Sequence, residues 1–152
     1  LAQEKKYSKI VFAGAWPSLY MNGGLTPEAN QLIKDTKNLI SLGKKVYIIS
    51  TPPRNPKFDP TAIARRLIFP SATFSELNIK KSEIQDINSL NEMKLITKES
   101  GAILINPYDY FCDDKNCPYF LSNVPLYTDH THMTASYSRR AAVFIDEIVS
   151  AK

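Results

Sequence analysis

Lys45-Val-Tyr-Ile-Ile-Ser50 is the stretch on which the fold turns. It is short, apolar between its two end residues, rich in β-branched side chains, and does not alternate with polar residues. That is the pattern of a strand covered on both faces, as in a parallel sheet. Lys9-Ile-Val-Phe-Ala-Gly14 repeats the pattern upstream. Between the two, Thr26-Pro27-Glu28 reads as a helix start, with Thr as N-cap, Pro at the first helical position and an acid in the first turn. Leu32, Ile33, Leu39, Ile40 and Leu42 supply the apolar face, and Gly43 stands where helices end. Strand, helix and strand in this order form a right-handed βαβ unit.

The same alternation continues downstream. Residues from Glu83 to Ser100 carry Ile84, Ile87, Leu90, Met93, Leu95 and Ile96 at helical spacing, with Gly101 as the stop. Ala102-Ile-Leu-Ile-Asn106 is a third strand. Thr134 caps a last helix running to about Ala151, with Ala141, Phe144, Ile145, Ile148 and Val149 inward. Thr51 to Pro70 is proline-rich and irregular, with one short helix expected after Pro60. The expected architecture is a single domain over residues 1–152, a flavodoxin-like three-layer α/β/α sandwich around a parallel sheet. Ligands of such sheets bind beyond the carboxyl ends of the strands. This places Ala15 to Gly24, Thr51 to Pro60 and Pro107 to Thr134 at the functional end.

Composition sets the class. The chain has 152 residues, 43% hydrophobic and 22% charged, which suits one globular domain with a real core. No apolar run approaches the roughly 18 residues of a membrane span, and Gln3-Glu4-Lys5-Lys6 does not open a signal peptide. The net charge is +4. The lysines, among them Lys44, Lys45, Lys80 and Lys81, form no basic stripe interleaved with aromatics, which argues against a nucleic-acid partner. A mildly basic surface suits anionic lipid or an acidic glycan.

Two cysteines, Cys112 and Cys117, are separated by four residues. The spacing suits a small disulfide loop and an oxidising compartment; two unpaired thiols in a reducing one are the alternative. Two lone cysteines do not make a zinc site.

Both histidines lie in Tyr127-Thr-Asp129-His130-Thr-His132-Met-Thr134. An Asp three residues before a His, across a turn, can hold one imidazole nitrogen and aim the other at a nucleophile. Asp129 and His132 are therefore the candidate catalytic pair. A metal pair of His130 and His132 with Asp129 is the competing reading, and it needs ligands from elsewhere. Gly14-Ala15-Trp16 closes the first strand, so Trp16 is a candidate substrate contact, with plain core packing as the alternative. Asp109, Asp113 and Asp114 suit turns or solvation.

The Tyr127 to Thr134 run resembles the last block of SGNH (GDSL-like) hydrolases, Asp-x-x-His usually followed by a Leu, here Met133, and a Ser or Thr. The whole chain is similar to the SGNH domain fused to membrane acyltransferase family 3 proteins, which O-acetylate bacterial surface polysaccharides. Val11-Phe-Ala-Gly-Ala-Trp16-Pro-Ser-Leu-Tyr20, Gly43 to Pro53, and Asn106-Pro-Tyr-Asp109 with Cys112 and Cys117 carry the likeness, in order and spacing.

The resemblance implies a Ser-His-Asp acyl-transfer domain with Asp129 and His132 in the family's catalytic positions and a Cys112–Cys117 disulfide. It also implies a glycan acceptor, a membrane domain delivering acetyl groups, a periplasmic location against the bacterial inner membrane, and no cofactor. Trp16 stands where other SGNH enzymes carry the block with their oxyanion-hole Asn. The family's Gly-Asp-Ser nucleophile block is not in this sequence, so the expected chain is an N-terminally truncated copy whose Ser lies outside it. The apolar run Ile10 to Ala13 supports the same expectation, because with three strands it would lie at an open sheet edge. A carbohydrate O-acetyl esterase and a non-catalytic glycan-binding module are the alternatives.

Overall fold

The computed structural model of the chain describes residues 7–14, 16, 18–59, 61, 78–84, 87–121 and 124–150. It divides into two compact units. The first comprises residues 1–51, 88–106 and 147–152, and the second residues 52–87 and 107–146.

The first unit holds the parallel sheet. Strands β1 (Lys9–Ala13), β4 (Lys45–Ile49) and β6 (Ile103–Ile105) pair in that order, both pairs parallel. Ile48 sits opposite Phe12 on one side and Leu104 on the other. A small hairpin of β2 (Tyr20–Met21) and β3 (Gly24–Leu25) follows β1. Helix α1 (Pro27–Ser41) begins as its sequence dictates: Thr26 Oγ1 accepts the Ala29 N–H, and Pro27 occupies the first turn. Gly43 follows its end at φ +77°, a conformation only glycine adopts at little cost.

Side chains from α1 and from α2 (Ile87–Ser100) meet over the sheet. Ala29, Ile33, Met93 and Ile96 form one buried cluster with Ile48 and Leu19, and Phe12 and Leu104 pack against it. The facing strand positions are those that period-2 alternation puts on one face. Helix α5 (Asp146–Ser150) is tied to β1 through the Lys9 ammonium, which donates to the Ile148 carbonyl at 2.7 Å.

Several expectations change here. β1 was expected to be covered on both faces, yet Val11 is 41% exposed. β1 is an edge strand among the described residues, and Val11 lacks the cover that its register partner Tyr47 has in the central strand. The helix expected from Glu83 begins at Ile87; Lys81–Glu83 is a separate 3₁₀ turn and Ile84 is extended and buried outside the helix. Leu95 is exposed, because the buried stripe runs through Leu90, Met93, Ile96, Thr97 and Ser100 and Leu95 falls off it. Leu42, beyond the end of α1, is exposed as well.

The second unit is built of short elements. Strand β5 (Asn78–Lys80) pairs antiparallel with β7 (Asn116–Pro118), and β8 (Phe120–Leu121) with β9 (Val124–Pro125). Helix α3 (Tyr108–Phe111) precedes the disulfide, and α4 (Ala135–Ala141) follows the Asp-His run. The Cys112–Cys117 bond is formed. The last helix is not continuous to Ala151 as expected. α4 gives way to a 3₁₀ segment, Ala142–Ile145, before α5, and this change of pitch leaves Ile145 and Val149 exposed. A 3₁₀ turn, Pro56–Phe58, interrupts the proline-rich segment expected to be irregular; the short helix expected after Pro60 lies outside the described residues, Thr61 apart.

The core of this unit is aromatic. Phe58 stacks on Tyr127 with ring centroids 4.2 Å apart and tilts against Tyr119 at 5.7 Å. Phe111 packs on Tyr137 and Phe144. Pairs of this kind add to area burial alone.

Candidate active site

The Asp-His run is a loop closed at its base by backbone pairing. Tyr127 and Met133 form an isolated antiparallel bridge, and the Thr134 N–H donates to the Leu126 carbonyl at 2.9 Å. Inside it, the Thr128 N–H donates to the His132 carbonyl at 2.8 Å. The base is anchored on the aromatic core, since Tyr127 is buried, stacks on Phe58 and donates its hydroxyl to the Pro53 carbonyl at 3.3 Å. Burial pushes the Tyr127 phenol far above its usual range and keeps it neutral, so it is an anchor and not a proton carrier. The His130 carbonyl accepts the Asn55 N–H at 3.2 Å, a second tie to the proline-rich segment.

Asp129 organises the loop tip. Its Oδ1 accepts the N–H groups of Thr131 (2.7 Å) and His132 (2.8 Å) and the Thr131 hydroxyl (2.9 Å). This is an Asx turn, which Asp forms readily because its short side chain reaches backbone donors two and three residues on. Oδ2 remains for the His132 imidazole, with Nδ1 at 2.8 Å. The Thr131 N–H, the His132 ring and the His132 N–H all favour the charged form, and together they hold the Asp129 carboxyl well below the usual aspartate range. Asp129 is therefore an anion at neutral pH. An anion facing Nδ1 fixes the tautomer with the proton on Nδ1, which leaves the Nε2 lone pair outward. The His132 side chain is 76% exposed, so Nε2 is open to a reactant.

Such a group takes a proton from a hydroxyl and returns it to a leaving group, while the carboxylate steadies the imidazolium. The structure thus brings Asp129 and His132 together. Sequence reading missed Thr131, whose hydroxyl also lies 3.0 Å from His132 Nδ1; a Thr two residues after the Asp of an Asx turn was the available signal. Trp16 belongs to the first unit. Its indole N–H donates to the Ile49 carbonyl at 2.7 Å and its ring packs against the Ile48 cluster, so its polar atom is committed to the end of β4. The loop after β1 is also held by Glu92, whose carboxylate accepts the Leu19 N–H at 2.8 Å. Among the described residues no three His, Cys, Asp or Glu side chains gather to hold a metal ion, Asp129, His130 and His132 included. No described helix is long and apolar enough to cross a membrane.

An Asp-x-x-His loop that orients an imidazole is a feature shared by hydrolases and acyltransferases, and function is argued from such a site and not from the fold. The chain belongs to the family described as the SGNH domain fused to AT3 domains, whose profile matches residues 1–147. Among solved structures it is similar in fold to the periplasmic domain of a lipopolysaccharide acetyltransferase from Salmonella ser. Paratyphi A, with a TM-score of 0.58 and 14% identity. The match covers 95% of this chain and 57% of that one, so the chain spans little more than half the length of its structural neighbour. No curated protein sequence matches it.

Proposed function

We propose that the chain is the acyl-transfer domain of a bacterial surface-polysaccharide O-acetyltransferase, in which His132 is the general base and Asp129 orients it. The observation that carries the reading is the pairing of His132 Nδ1 with Asp129 Oδ2, with the other ring nitrogen free. A serine is the nucleophile. No Gly-Asp-Ser occurs in the chain, so the proposal assigns that serine to sequence outside it. The serine is acylated by a donor from a membrane AT3 domain on the periplasmic side. His132 takes the serine proton as the serine oxygen attacks the acyl carbonyl and returns it to the departing donor group. It then takes the proton of the sugar hydroxyl that attacks the acyl-serine and returns it to the serine oxygen as that ester bond breaks, while backbone amides hold each oxyanion. The family to which the chain belongs and the lipopolysaccharide acetyltransferase fold support this reading.

The exposure of His132 favours a second reading, a carbohydrate O-acetyl esterase in which water replaces the sugar hydroxyl. The test uses the full-length protein with an acetyl ester, with and without an acceptor glycan. His132→Ala lowers acetyl release by a thousandfold or more, on the order of what loss of a triad histidine costs. Unchanged turnover in that variant overturns the assignment. Acetylated glycan as the main product selects the transferase, and free acetate despite a glycan acceptor selects the esterase.

A further inference from the structure

The second unit carries an open surface cavity of about 410 Å³ lined by Lys80, Lys81, Ser82, Asp114, Lys115 and Asn116. Lys80 and Lys81 come from the end of β5 and the turn after it, and Lys115 comes from the disulfide loop. The three are held together by more than chance exposure. Lys80 stands directly opposite Asn116 in the β5–β7 ladder, and the Lys81 N–H donates to the Lys115 carbonyl at 2.7 Å. The loop bearing Lys115 is closed by the Cys112–Cys117 bond, and Asp113 Oδ1 accepts the N–H groups of Lys115 (2.7 Å) and Asn116 (2.6 Å).

Among the described residues Lys80, Lys81 and Lys115 form no ion pair, whereas Lys57 is engaged with Glu83 at 3.1 Å. Asp113 is held chiefly by the loop's own backbone and feels the Lys81 charge, so it offsets part of one lysine only, and Asp114 is the one carboxylate in the lining. Gathering like charges costs stability unless something of opposite sign compensates them.

We propose that this cavity binds an anionic saccharide, a sugar unit carrying a phosphate or carboxylate. The three ammonium groups take the oxyanion. Asp114, which would repel a bare ion, accepts sugar hydroxyls, and the Ser82 hydroxyl adds a neutral donor and acceptor. The volume falls in the range of small-ligand sites and exceeds what a lone oxyanion fills. Disulfide, Asx turn and ladder preorganise the charges and so lower the ordering cost of binding. In the proposed acyl transfer, on which the biological sense of this site rests, it would grip an acidic unit of the acceptor glycan.

Glucose 6-phosphate is the probe, titrated into the full-length protein while the amide resonances of Lys81, Ser82, Lys115 and Asn116 are followed. Saturable shifts with glucose 6-phosphate, none with glucose, and weaker ones with inorganic phosphate are expected. A triple Lys80→Gln, Lys81→Gln, Lys115→Gln variant should bind about tenfold more weakly or worse, and added salt should weaken the wild type in the same direction. Removing clustered like charges should leave its melting temperature unchanged or higher, which shows that it folds. Equal binding by glucose, equal binding by inorganic phosphate, or undiminished binding by the triple variant overturns the proposal. Repeating the titration with His132→Ala keeps the two readings apart: binding there survives even if the acyl-transfer assignment fails.

Discussion

The imidazole of His132 meets the carboxylate of Asp129 at 2.8 Å through Nδ1, while the other oxygen of the same carboxylate is taken up by the backbone of its own loop. The acid thus has two duties on two oxygens: one shapes the turn and the other orients the base. Variants at these positions should separate them.

Asp129→Asn keeps an oxygen for the Thr131 and His132 N–H groups and loses the charge facing Nδ1. In the full-length protein it should fold normally and lose about a thousandfold or more in kcat, since the wrong histidine tautomer then predominates. Asp129→Ala should lose activity and also melt earlier, because the turn donors are left to water. Equal melting temperatures for the Asn and Ala variants would remove the turn-forming role.

The depressed Asp129 carboxyl also sets an acid limit. Its folded pKa lies below the ordinary aspartate value of 3.8, so its contribution to stability is complete above that value and is lost as pH falls through the folded one. Asp113, lowered by the Asn116 and Lys115 N–H groups, acts with the same sign. Melting temperature should therefore fall as pH drops from about 4 to about 2, and more steeply in the wild type than in Asp129→Asn. Parallel curves for the two proteins would contradict this.

Reducing the Cys112–Cys117 bond, or replacing both residues with Ser, should cost about 2 kcal/mol, the loop-entropy value for so short a loop. Urea unfolding with and without reductant measures it. Because Cys117 pairs with Ile79 across β5 and β7, hydrogen exchange should rise first at Asn78 to Lys80.

Gly101 ends α2 at φ +81°, where an added Cβ would meet the Ile40 side chain at 3.4 Å; Gly43 ends α1 at φ +77° with open space around it. Both Gly→Ala changes should cost on the order of 1 kcal/mol from backbone strain. The excess at Gly101, read from chemical denaturation, measures how far Ile40 can yield. A neutral Gly43→Ala would show that the left-handed conformation is not needed there.

What the sequence determined by itself is what neighbouring residues decide. Thr26, Pro27 and Gly43 mark the ends of α1, Thr134 caps α4, and the three apolar runs pair as a parallel sheet in chain order. The Asp129–His132 contact belongs to the same class. An Asx turn brings residues three apart together with few constraints from elsewhere, so its geometry is written locally.

Tertiary structure decided which apolar residues are covered and which polar atoms are spent. Val11, Leu95 and Val149 fit their local patterns as well as Ile48 or Met93 do, yet they are exposed because burial depends on partners distant in sequence. Trp16 looked free until Ile49 supplied an acceptor for its indole. Lys80 and Lys81 formed no basic stripe in the sequence, and only the β5–β7 ladder and the disulfide loop set them with Lys115 around one cavity. Hydrogen bonds across a turn are encoded by spacing, whereas coverage and charge gathering follow from non-local pairing that spacing does not reveal.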